Sequence, residues 1–107
     1  MPRVDDLEVD VSTDGDGFLI TISGEVDLFN EHHLVLAARS ALRRTPCETL
    51  TVDLAGVTFM DCSGLAALLT VRSECEHRAA VLAITNPSSA IRHLVKLAKL
   101  DGVLHLN

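Results

Sequence analysis

The stretch "LTVDLAGVTFMDCSGLAALL" spans residues 50–69 and decides the fold. Its first part belongs to "TLTVDL" (49–54), which alternates apolar and polar residues. Leu50, Val52 and Leu54 share one face, the period of a half-buried strand. "AGVTFM" (55–60) reads as a connection. "SGLAALLTVRSECEHR" (63–78) contains no proline and is rich in Leu and Ala, which predicts a helix. Leu65, Leu68 and Leu69 open its apolar stripe. A strand, a short loop and a helix start near residues 61–64 therefore follow one another. The first turn of a helix has unpaired N–H groups and partial positive charge, a setting that suits a phosphate or a partner's carboxylate. Asp61 and Ser63 are both candidate caps. Gly64 costs about 1 kcal/mol relative to alanine in a helix. A glycine there is expected where another chain approaches the backbone closely.

The flanking segments extend this pattern. "LEVDVS" (7–12) and "FLITISGEV" (18–26) alternate around the turn residues "TDGDG" (13–17), so they read as a hairpin. After "DLFN", Asn30 is positioned to cap a helix whose apolar residues are Leu34, Ala37, Ala38, Ala41 and Leu42. Arg43 and Arg44 suit its last turn, and Pro46 ends it. "AAVLAI" (79–84) is a continuous apolar run, as expected of a strand covered on both faces. "TNPSSAIRHLVKLAKL" predicts a third helix with Asn86 as cap, Pro87 in the first position, and Ile91, Leu94, Val95 and Ala98 inward. Asp101-Gly102 should stop it, and "VLHL" (103–106) should form a last short strand. The order β-β-α-β-α-β-α-β predicts a single α/β domain over residues 1–107. Its mixed sheet opens with a hairpin, alternates strands and helices, and is covered by helices.

Composition narrows the function. The 107 residues include 48% apolar residues, enough for a core without metal or disulfide staples. Net charge is −6, which argues against nucleic-acid binding as the main task. Residues 1–16 hold Asp5, Asp6, Glu8, Asp10, Asp14 and Asp16 against Arg3 alone, an expected solvated strand edge. No apolar run is long enough for a membrane span, and the start "MPRVDDLEVD" has no apolar signal core, so the expected compartment is the cytoplasm. Cys47, Cys62 and Cys75 are an odd number without CxxC spacing, which points to free thiols and no zinc site. His32 and His33 are adjacent, so they diverge on a helix and do not form a chelating pair. There is no GxxxxGK[ST], GxGxxG or GxSxG motif, and no enzyme or cofactor is expected.

The 50–69 stretch resembles the signature of STAS domains of the anti-anti-sigma type: strand, Asp-Ser/Thr-Ser-Gly-Leu, helix. "ITISGEVDLFN" resembles the family's second strand and following turn, with Gly24, Glu25 and Asp27 matching. "TNPSSAIRHLVKLAKLDGV" resembles its third helix and following glycine. The resemblance implies a binding switch. Such proteins dock on an anti-sigma factor that is also a serine kinase, which makes it release its sigma factor. The kinase phosphorylates the Ser/Thr after the motif's Asp and so ends binding. The resemblance carries partner contact onto Asp27, Asn30, Asp61, Cys62, Ser63, Gly64 and Leu65. Membership of a larger stress-signalling or transporter-associated assembly is the alternative.

Two departures stand out. The phosphoacceptor position is Cys62, which is not a usual serine-kinase substrate. Three readings stay open: an antagonist that is never phosphorylated, a phosphate on Ser63, or a thiol switch at Cys62. Cys62 and Cys75 are about 20 Å apart along one helix, beyond the roughly 7 Å that a disulfide spans. The second departure is the family's fourth helix, which has no counterpart before Asn107: it is either absent or cut off from this stretch of sequence. That leaves a C-terminal face near Leu104 and Leu106, expected to be exposed or used for self-association into a homo-oligomer.

Overall fold

A computed structural model describes residues 7–44 and 46–106. Asp5 and Asp6 of the acidic start lie outside them. The elements are β1 (Leu7–Asp14), β2 (Gly17–Val26), α1 (Glu31–Arg44), β3 (Thr49–Met60), α2 (Cys62–His77), β4 (Val81–Thr85) and α3 (Ser89–Leu97). The sheet runs in the order β1-β2-β3-β4, with β1 antiparallel to β2 and the remaining pairs parallel. This is the expected mixed sheet. The hairpin closes where Asp14 pairs with Gly17, and Gly15 takes φ +60° at the first turn position, where a side chain would be strained.

Alternation sorts the strands into two faces. Ile20, Ile22, Leu50, Val52 and Leu54 point inward and are buried against Leu34, Ala38 and Ala41 of α1 and Leu68 and Val71 of α2 in one core. The side chains between them, such as Thr21, Thr51 and Asp53, are half-buried on the opposite face. Arg39 of α1 and Glu74 of α2 join the two helices through a 2.7 Å bond from Nε to Oε2.

Several expectations are corrected. Residues 55–60 are not a loop, because β3 continues to Met60. Its pairing with β2 shifts twice, between Thr21 and Ser23 and between Gly24 and Glu25. Each irregularity gives β3 one extra residue, which breaks strict alternation and hides the strand in the sequence. β4 is not covered on both faces. Val81 is exposed, Leu82 and Ala83 are half-buried, and only Ile84 is fully inside. Asn86 does not cap α3. Its backbone is left-handed at φ +56°, and its amide donates to Asp53 Oδ1. Ser88 is the cap, its Oγ accepting from the N–H of Ile91. On α3, Ile91 and Val95 are buried and Leu94 is half-buried, while Ala98, which caps its C-terminal end, is exposed. The last strand reduces to a single parallel bridge, Ile84 to Leu106.

At the junction of β3 and α2, Gly64 is buried beneath the first turn of the helix. A Cβ there would collide with Met60 Cγ and lie 3.1 Å from both Met60 Sδ and Val26 Cγ1. The glycine makes room for internal packing.

Two stability measurements follow. The hydrogen bond from Arg39 holds the Glu74 carboxyl below the usual carboxylate range, with the charges of Arg39, His77 and Arg43 adding to it and partial desolvation opposing it. A depressed carboxyl stabilises the fold above its unfolded pKa and loses that contribution as pH falls through the folded value. Both side chains are partly solvated, so Glu74→Gln should cost less than about 1 kcal/mol near neutral pH. Urea denaturation should show that difference vanish in strongly acidic buffer. Gly64→Ala gains about 1 kcal/mol of helix propensity but overpacks the core, at a cost of about 1–3 kcal/mol. It should therefore destabilise the protein, and should become stabilising in a Met60→Ala background. Equal losses in both backgrounds would contradict the packing account.

Candidate functional site

Parallel pairing of β2 and β3 brings two chain segments out at one end of the sheet. Val26 pairs with Met60, so Asp27 and Asp61 are the next residues on neighbouring strands. The N–H of Asp61 donates to the Val26 carbonyl at 3.3 Å. Asp61 is also the cap of α2. Its Oδ1 accepts from the N–H of Ser63 at 2.8 Å and of Gly64 at 3.2 Å. Ser63, the other candidate cap, is thus held by Asp61 and does not do the capping.

The Asp27–Asn30 loop is built just as tightly. Asn30 is 1% exposed. Its side chain turns back instead of capping α1 forward, with Oδ1 accepting from the Asp27 N–H and Nδ2 donating to the Glu25 carbonyl, both at 2.9 Å. Asp27 Oδ1 accepts from the Phe29 N–H, and its backbone carbonyl accepts from the Glu31 N–H. Folding these polar groups inward turns Leu28 and Phe29 outward, at 66% and 79% exposure.

The seven residues expected to touch a partner therefore divide. Cys62 is exposed, and Asp61 and Ser63 are half-buried. Asp27, Asn30, Gly64 and Leu65 are buried, so they shape the tip from within. The exposed part of this set is Cys62, flanked by Asp61 and Ser63. Sequence reading missed Leu28 and Phe29. Two large apolar residues between a turn-forming Asp and a helix start were the available signal, since a solvated loop would carry polar residues there. Phe59, 52% exposed, adds a further apolar side chain at the end of β3.

The cysteines are all free and differ in setting. Cys62 is exposed at the first position of α2. Burial, reinforced by Cys47, Glu74 and Glu76, pushes the Cys75 thiol up to about 11, so it stays protonated and unreactive at neutral pH. Among the described residues no group of three or more His, Cys, Asp and Glu is placed to hold a metal ion, and no helix is long and apolar enough to cross a membrane. The tip can bind through its apolar knob. It shows no nucleophile–base pair.

The chain is similar to known proteins in sequence and in fold. The model of the STAS domain matches residues 8–107. A Mycobacterium tuberculosis protein provisionally named an anti-anti-sigma factor, Rv2638, is 32% identical over 96 residues, covering 87% of this chain and 65% of its own length. RsfA of the same species, an anti-sigma-F factor antagonist, is 29% identical over 87 residues, covering 80% of this chain and 68% of its own. The chain thus spans about two thirds of the length of these relatives. The crystal structure of an anti-sigma factor antagonist from Mycobacterium paratuberculosis superposes with a TM-score of 0.83 at 21% identity, over 99% of this chain and 89% of that one. The family model covers nearly the whole chain, and the chain belongs to the STAS-domain family.

Proposed function

We propose that this protein is an anti-sigma factor antagonist. It acts by binding, not by catalysis, as a bacterial regulator of transcription in the cytoplasm. It docks on an anti-sigma factor of the serine-kinase type, which then lets go of its sigma factor. Relatives named for this activity support the reading. The observation that carries it is the tip itself: the exposed Leu28-Phe29 knob beside exposed Cys62, on a backbone pinned by buried Asn30 and by the Asp61 cap. Preorganised apolar anchors of this kind lower the ordering cost of association. The surface matching this knob is an apolar recess.

Cys62 occupies the position where a phosphate would end docking. A phosphate there would add about −1.5 to −2 charges beside Asp61. The thiol takes the shape of serine without being a usual kinase substrate, so the protein stays in its docking state. Ser63 is the less favoured acceptor, because it is half-buried.

Calorimetry with the purified anti-sigma kinase tests this. Phe29→Ala should weaken binding at least tenfold, and Cys62→Asp should abolish it. Cys62→Ser should bind normally and acquire a phosphate at residue 62 when ATP is added. Indifference to Phe29→Ala and Cys62→Asp would remove the proposed surface. A phosphate on Ser63 of the unaltered protein would replace the never-phosphorylated reading.

A further inference from the structure

The far end of the core holds a pair of thiols. α1 follows β2 and α2 follows β3, and these strands are parallel, so both helices leave the tip and run the same way over one face of the sheet. Their last turns therefore lie toward the opposite end. Arg39 bonds Glu74 across them, and Arg43, one turn further on, adds its charge there. Cys47 lies just past α1 and packs against the core, and Cys75 is buried in that core from the last turn of α2. The backbone ties the two positions together. The Cys75 carbonyl accepts from the Ala80 N–H, and the Val81 N–H donates to the Glu48 carbonyl, both at 2.8 Å.

Cys47 also reaches the Cys75 thiol electrostatically. After burial it is the next cause that holds that thiol high, ahead of Glu74 and Glu76 on the same helix. To outweigh the carboxylates of adjacent residues, the two thiols must be close and little screened. Their exposure differs. Cys47 is half-buried and lines an open cavity of ≈ 500 Å³ with Gly15, Gly17, Phe18 and Pro46. Cys75 is 1% exposed. A small oxidant therefore meets Cys47 first.

We propose that Cys47 and Cys75 form a redox site, closed to a disulfide by hydrogen peroxide and reopened by small thiols. The Cys47 thiolate attacks one peroxide oxygen. An S–O bond forms, the O–O bond breaks and hydroxide leaves, so the sulfur loses the two electrons that the peroxide gains. The Cys75 sulfur then attacks the Cys47 sulfur. The S–S bond forms, the S–O bond breaks, and the departing hydroxide takes the Cys75 proton as water. Two small thiols reverse the closure by exchange and leave as their own disulfide. Cys75 is unreactive alone, but held beside Cys47 it needs no diffusive encounter. The bridge ties the end of α1 to the end of α2, away from the tip, so it braces the frame of the tip without occupying it. In a reducing compartment such a bridge is transient, as a sensor requires.

The test treats the whole folded chain with one equivalent of hydrogen peroxide, blocks the remaining thiols with iodoacetamide and maps the peptides by mass spectrometry. The oxidised chain should be lighter by two hydrogens before blocking, with Cys47 joined to Cys75 and only Cys62 alkylated. Dithiothreitol should restore three alkylated cysteines. The bridge should move the urea midpoint upward, because it restricts the unfolded chain. Cys75→Ala should leave a sulfenic acid at Cys47 that dimedone traps, and Cys47→Ser should leave Cys75 reduced. The mapping needs no variant, so a substitution that folds poorly leaves it decisive. The proposal is overturned if Cys47 and Cys75 are both still alkylated after peroxide has been consumed. Dimers linked through Cys62, or sulfinic acid at Cys47 beside a free Cys75, would overturn it equally.

Discussion

The structure turns on Asp61. Its N–H closes the pairing of β3 with the end of β2, and its carboxylate closes the first turn of α2. One residue thus ends a strand, starts a helix and fixes the angle between them. A strand-to-helix turn without such a cap leaves several N–H groups unpaired, and replacing a cap of this kind by alanine costs about 0.5–2 kcal/mol. Because the turn is closed by a side chain, the next residue, Cys62, can stand in solvent while the backbone beneath it is held.

The same division between held and presented residues runs across the tip. Asn30 and Gly64 are buried, the first bonding two backbone groups and the second making room for Met60. What they present is Leu28, Phe29 and Cys62. Exposed apolar side chains on a rigid frame favour binding, since little ordering remains to be done on contact. The side chains of Asp27, Asn30 and Asp61 are already engaged with the chain's own backbone.

Much of this was legible in the sequence. Alternation in residues 7–12, 18–26 and 49–54 and the helical spacing after Asn30 and Asp61 were enough for the mixed sheet and its helices. The failures have physical causes. Two bulges in β3 turn a two-residue period into a three-residue one, so Val57 and Met60 do not look like strand positions. Asn86 has the composition of a cap, but Asp53 on a neighbouring strand engages it, a contact 33 residues away that no local rule contains. The site was legible as a place more than as a surface. Asp61 is the cap it was a candidate to be and Cys62 is exposed next to it, whereas Gly64 and Leu65 are internal, with Met60 directly against Gly64.

Hydrogen–deuterium exchange of the chain with and without the purified anti-sigma kinase tests the central claim, that docking occurs through the capped tip. Binding should slow exchange at residues 27–33 and 62–66 and leave β1 and the Gly15 turn unchanged. Slowed exchange confined to the hairpin or to the outer face of the sheet, with the tip unaffected, would contradict it.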